Sequence, residues 1–172
     1  METVWSICLE GLIHAKGKTG GEIQAFVLMS NHYHLLIWTP ECNLDRFMYF
    51  LNRKISLDIR NLTKRINRIF GDRYHWSVIR DIRYHQAVLK YIYQNPRRAG
   101  IVNYCQDYKY SSLYALFKSI DLGFSLHEPY LEEFYSFLNW VNDMEVFPVE
   151  FSRAVRRPIF KYPRSSSSRR TI

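Results

Sequence analysis

The stretch EIQAFVLMSNHYHLLIW, residues 22–38, leaves the chain few ways to fold. Glu22 to Met29 and Tyr33 to Trp38 are β-rich runs, and Ser30-Asn31 between them is turn chemistry, so the pair predicts a hairpin. Pro40 stops the second strand. Side chains alternate along a strand, so His32 and His34 fall on one face of the sheet and Tyr33 on the other. Two imidazoles on one face can hold a divalent metal between them.

Helical periodicity surrounds this hairpin. Trp5, Cys8, Leu9, Leu12, Ile13 and Ala15 form a stripe that predicts a helix over Val4 to Lys16, ended by Gly17 and the GKTGG turn. Asn43 or Asp45 caps a second helix running towards Ile66, with Leu44, Phe47, Met48, Leu51, Ile55 and Ile59 on its apolar side. Its other side carries Arg46, Arg53, Lys54, Arg60, Lys64 and Arg65, which suit phosphates. After a break at Gly71-Asp72, the run Tyr74 to Ile79 predicts a further strand. A helix follows over about Tyr84 to Asn95, closed by Pro96 and Gly100. The aromatic segment Tyr108 to Ile120 packs onto the domain, and Glu132 to Val141 predicts another helix. The end, YPRSSSSRRTI, is basic and low in complexity, the composition of a disordered tail. The expected layout is an α+β domain over 1–120, a helical extension over 121–160 and a disordered basic tail over 161–172.

With 24 Lys and Arg against 16 Asp and Glu, the 172-residue chain has a net charge of +8, which favours a polyanionic partner such as nucleic acid. Its three cysteines are scattered, with no CxxC pair, and imply a reducing compartment without a disulfide framework or zinc knuckle. The N-terminus lacks the basic start and small-residue cleavage site of a signal peptide, and no apolar run approaches a membrane span. A cytoplasmic, nucleoid-associated protein that does not engage membranes is expected.

The second informative stretch is YIYQNP, residues 91–96. Tyr91 and Asn95, four residues apart, share one helix face. Tyr93 lies about 200° around the helix from Tyr91. If Asn95 faces the metal, Tyr91 is the nucleophile and Tyr93 is not. A metal needs a third protein ligand beside His32 and His34, and Asn95 offers one. Mg²⁺ or Mn²⁺ suits this role, with Mn²⁺ serving at least as well because two imidazoles are softer than the usual Mg²⁺ ligands. A metal beside a tyrosine hydroxyl fits phosphodiester cleavage through a covalent phosphotyrosine, with the 5′-phosphate on Tyr91 and a free 3′-hydroxyl. His14, His75, His85 and His127 show no matching spacing. No P-loop, G-x-S-x-G, dinucleotide fingerprint or H-E-x-x-H is present.

LMSNHYHLLI resembles the histidine motif of the REP-associated tyrosine transposases, relatives of the IS200/IS605 transposases within the HUH single-strand endonuclease superfamily. YIYQNPRRAGIV is similar to their tyrosine-helix motif, and DYKYSSLYAL to the stretch that follows it. The resemblance covers roughly residues 5 to 118, with the motifs in the family's order and separation. It implies a ferredoxin-like (RRM-like) antiparallel sheet with helices on one face, and extra C-terminal helices beyond it. It also implies metal-dependent cleavage and strand transfer on single-stranded DNA folded as a hairpin, by a monomer or homodimer. By position His32 and His34 match the metal histidines, Tyr91 the nucleophile and Asn95 the polar ligand, with Gln94 as the alternative third ligand. Arg53, Lys54, Arg60, Arg97 and Arg98 are the expected phosphate contacts, and Trp76 or Tyr74 a stacking platform for unpaired bases.

One departure sets a further expectation. Family members begin with a strand before the first helix, and this chain starts inside that helix, so the first strand is expected to be missing. Its loss would expose sheet edges. Either the start is mis-assigned or truncated, or a segment such as Val149 to Val155 substitutes, or a second subunit donates a strand. A shortened gene model is the preferred reading, with dimerisation compensating. A non-catalytic or decayed relative that keeps hairpin binding is the alternative functional reading.

Overall fold

The computed structural model describes residues 1–127, 134–144, 147 and 151–155. The expected hairpin forms from β1 (Glu22–Leu28) and β2 (Tyr33–Trp38), antiparallel, pairing Leu28 with Tyr33, Val27 with His34 and Ala25 with Leu36. The register is irregular between Ile23 and Ala25. Helix α1 (Glu2–Thr19) and helix α2 (Leu44–Thr63) lie along each other and cover one face. There Phe26 and Leu28, with Tyr33, Leu35 and Ile37, meet Leu12, Phe47 and Leu51. Helix α3 (Ile82–Arg98) covers the other face, where Ala25, Val27 and Leu36 meet Val88, Leu89 and Ile92. The expectation of helices on one face is therefore corrected. Residues 25–28 of β1 are buried without a break, and a strand buried on both sides needs a layer on each.

Among the described residues the further helices are a short α4 (Ser112–Phe117), preceded by a 3₁₀ turn at Cys105–Asp107, then α5 (Phe134–Asn142) and α6 (Phe151–Ala154). The described residues thus form a mixed α+β structure around a two-stranded antiparallel sheet. Among them no helix is long and apolar enough to cross a membrane.

Helix ends shift from the sequence reading for local reasons. Gly17 stays inside α1, and Gly20 ends it at φ 69, with its N–H donating to the Lys16 carbonyl at 2.8 Å. Gly11 lets the two helices approach closely, since a Cβ there would sit 3.1 Å from both Ile55 and Leu51. α2 stops at Thr63, short of Ile66, because Lys64 turns left-handed at φ 55. Asp81 caps α3, accepting from the Arg83 N–H at 2.8 Å and the Tyr84 N–H at 3.3 Å. Pro96 lies within the last turn of α3, and Gly100 follows its end at φ 69.

The strand expected over 74–79 does not form; within it only Val78 makes an isolated bridge. Its aromatic residue Tyr74, with Phe70 before it, instead packs on the α1–α2 side, and the Tyr74 hydroxyl donates to Asp45. Among the described residues, the segment Tyr110 to Ser112 and His127 bond to β1. The Leu28 N–H donates to the Tyr110 carbonyl at 2.9 Å, and Val27 bridges Ser111. The Phe26 N–H donates to Ser112 Oγ at 3.0 Å, and the His127 N–H reaches the Ile23 carbonyl at 2.7 Å. Of the segment proposed to supply a strand, residues 151–154 are helical; Val149 and Glu150, like the basic tail 161–172, lie outside the described residues.

Burial makes two of the three thiols inert. It pushes Cys8 up to about 12 and Cys105 up to about 11, whereas Cys42 is exposed. A thiol reagent at neutral pH is expected to label Cys42 alone in the folded protein and all three cysteines after denaturation, as counted by mass spectrometry.

Candidate metal and nucleophile site

Tyr33 fixes the orientation of its two histidine neighbours. Its hydroxyl donates to Asn52 Oδ1 of α2 at 2.7 Å, and burial holds the phenol well above its usual range. With Tyr33 committed to α2, alternation turns His34 to the α3 side. His32 sits at the turn just before β2, where its carbonyl accepts from the Met29 N–H at 2.8 Å. The two imidazoles stand nearly perpendicular, with ring centroids 4.9 Å apart and Nε2 atoms 3.2 Å apart. Asn31 Oδ1 lies 2.7 Å from His32 Nδ1. With Nδ1–H donating to Asn31, His32 Nε2 is left as an acceptor.

This pair fits a divalent ion. Two ligands in adjacent positions around a cation of the Mg²⁺ or Mn²⁺ class are about 3 Å apart, close to the observed separation. Among the described residues no three His, Cys, Asp or Glu side chains cluster to hold a metal. A third protein ligand would then be of another type, such as an amide.

Helix α3 brings Tyr91 beside the pair, its ring 5.9 Å from that of His34. The Tyr91 ring also meets Phe151 at 4.9 Å and Phe147 at 5.6 Å. Tyr93 faces elsewhere: it is buried, its hydroxyl is 3.0 Å from Ser112 Oγ, and burial pushes it up to about 12. Asn95, one turn beyond Tyr91, donates Nδ2 to the Tyr91 carbonyl at 2.7 Å. That bond leaves its amide oxygen as the atom suited to a cation.

Gln94 and the expected DNA contacts are placed differently. Gln94 is fully buried, and its amide nitrogen donates to the Val141 carbonyl at 2.8 Å and the Asp143 carbonyl at 3.0 Å. Arg97 donates to the Asn142 carbonyl at 2.6 Å, and the Arg98 guanidinium lies 5.3 Å over the Phe147 ring. Arg53 and Arg60 are exposed, but on α2, which packs on the face of the hairpin opposite His34. Lys54 is paired with Asp58 at 2.5 Å and Glu10 at 3.3 Å, tying α2 to α1. Trp76 is exposed on the segment between α2 and α3.

Sequence reasoning missed Asn31 as a partner of His32, having read it as a turn residue. It also missed Phe147 and Phe151, for which periodicity gave no signal, since both are brought to Tyr91 only by packing.

A family model described as "Transposase IS200 like" matches residues 4–95, from α1 through Asn95. No curated protein and no solved structure matches the chain.

Tyr93 should matter for stability alone. Tyr93→Phe is expected to cost about 1 kcal/mol in denaturant unfolding. The folded state holds the Tyr93 proton to about 12 while the unfolded phenol releases it near 10, so stability falls as pH rises across that window. Unfolding curves of Tyr93→Phe should show a smaller alkaline loss than those of the wild type.

Proposed function

The chain belongs to the IS200-like transposase family, and on that premise we propose that it is a metal-dependent single-strand DNA endonuclease and strand transferase of the REP-associated, HUH kind. Its substrate is single-stranded DNA folded as a hairpin. The reading rests chiefly on one observation: two imidazole nitrogens 3.2 Å apart with the Tyr91 ring beside them.

In this reading His32 Nε2, His34 Nε2 and the Asn95 amide oxygen would hold Mg²⁺ or Mn²⁺. When bound there, the ion would supply Lewis-acid stabilisation of charge on the scissile phosphate. Asn31 holds the His32 ring in the tautomer that frees Nε2 for coordination. The Tyr91 hydroxyl, giving up its proton, attacks the phosphorus and forms the phosphotyrosine bond. The bond from phosphorus to the 3′-oxygen breaks, and that oxygen leaves as a 3′-hydroxyl after taking a proton. The 5′-phosphate remains on Tyr91, so a second 3′-hydroxyl can reverse the step and join strands without ATP.

Incubation of hairpin oligonucleotides with Mn²⁺ should give a denaturant-stable protein–DNA adduct that Tyr91→Phe abolishes and Tyr93→Phe does not. Salt-sensitive hairpin binding with no adduct would establish the non-catalytic alternative instead. Cleavage that survives Tyr91→Phe would point to water as the nucleophile and overturn the phosphotyrosine route. Asn31→Ala is expected to lower Mn²⁺ affinity, measured calorimetrically, by about 10- to 100-fold.

A further inference from the structure

Helix α3 carries a second set of polar side chains about 110° around from Tyr91 and Asn95. Lys90, Gln94 and Arg97 recur at i, i+4 and i+7 and share a side. All three reach the end of α5. Gln94 donates to the Val141 and Asp143 carbonyls, Arg97 to the Asn142 carbonyl. Lys90 Nζ lies 3.6 Å from the Asp143 carboxylate and 5.3 Å from the Trp140 ring. From the other side, the Cys105 N–H donates to Asn142 Oδ1 at 2.9 Å.

The last carbonyls of a helix have no partner within it, and the negative end of its dipole attracts cations. α3 supplies both needs of α5. Gln94 is 0% exposed and its bond to the Val141 carbonyl is buried, where a broken partner is poorly replaced, whereas the Asp143 carboxylate facing Lys90 is 84% exposed. Shortly beyond the clamp come Phe147 and Phe151, the two rings packed against Tyr91. Arg98 lies over Phe147 from the end of the same helix. The α5 segment, Phe147 and α6 all fall outside the residues matched by the family model, 4–95.

We propose that α5 with Asp143, together with Phe147 and Phe151, is a positioning element for the nucleophile, held by Lys90, Gln94 and Arg97, rather than an appendage to the catalytic unit. The clamp fixes the rotation of α3, and the two phenylalanines fix the Tyr91 ring beside His34. Lys90, Gln94 and Arg97 are positioning residues that act through Tyr91, not ligands or phosphate contacts. The inference rests on the reading of Tyr91 as nucleophile.

The test is Gln94→Met, which removes both donors at similar length, with Arg97→Met and Arg97→Lys beside it. Three quantities are measured on each folded protein: the single-turnover rate of adduct formation with Mn²⁺, the hairpin dissociation constant, and Mn²⁺ affinity. Gln94→Met and Arg97→Met are expected to slow adduct formation by about 10-fold or more, the size that small misplacements of a reacting group produce. Hairpin and Mn²⁺ affinities should stay at wild-type values, and Arg97→Lys should recover part of the rate. An unchanged rate with lowered thermal stability would reduce the clamp to a structural tie and overturn the proposal. Lost Mn²⁺ affinity in Gln94→Met would make Gln94 a ligand, and weakened hairpin binding in Arg97→Met would make Arg97 a phosphate contact; either also overturns it. If the wild type itself forms no adduct, the nucleophile reading fails separately. Amide hydrogen exchange then decides whether a clamp exists: unchanged protection across 86–98 in Gln94→Met would overturn it.

Discussion

The pairing of Leu28 with Tyr33 and of Val27 with His34 is the constraint on which the rest of the structure depends. A slip of one residue would send His34 to the α2 side and Tyr33 to the α3 side. Two features oppose that slip. Phe26 and Leu28 fill one core and Ala25 and Val27 the other, so β1 has no face free to accept an exchange. Tyr33 is also bonded to Asn52, and its buried hydroxyl would lose that partner. The histidine pair is thus set by packing on the far side of the sheet.

Helix α3 has to satisfy three surroundings at once. Val88, Leu89, Ile92 and Tyr93 belong to the core, Tyr91 lies beside His34, and Lys90, Gln94 and Arg97 grip α5. The third is not simply stabilising. Gln94 Oε1 is buried with no hydrogen-bond partner among the described residues, and such an atom typically costs about 1–3 kcal/mol. An apolar side chain at position 94 would avoid that cost but would leave the Val141 and Asp143 carbonyls without their donor. The sequence therefore keeps an imperfect polar contact where a hydrophobic one would hold the helix with less geometric definition.

The departures from the sequence reading have local physical causes. Gly17 looked like a helix end, yet a glycine is tolerated within a helix at modest cost, and the left-handed turn fell at Gly20. The run Tyr74 to Ile79 had strand-like composition, but the segment found burial for Tyr74 against the α1–α2 side without needing a ladder partner. The edge of β1 was open in the sequence argument because the residues that bond to it, Tyr110 to Ser112, are remote in sequence and read as an aromatic packing segment. Gln94 and Arg97 were read by type, as a ligand and a phosphate contact. Their hydrogen bonds run to residues 47, 49 and 45 positions along the chain, which no local pattern could indicate.

What the sequence determined by itself was whatever follows from backbone period. The two-residue repeat of a strand set Tyr33 apart from His34, and the 3.6-residue repeat of a helix put Tyr91 with Asn95 and away from Tyr93. Those relations are fixed by covalent geometry and need no neighbour. Only the tertiary structure decided which layers sandwich the hairpin, what lies against the Tyr91 ring, and which polar groups of α3 are already engaged. Those outcomes depend on where distant segments can bury apolar surface and satisfy their last free carbonyls, and that is settled only when the whole chain packs.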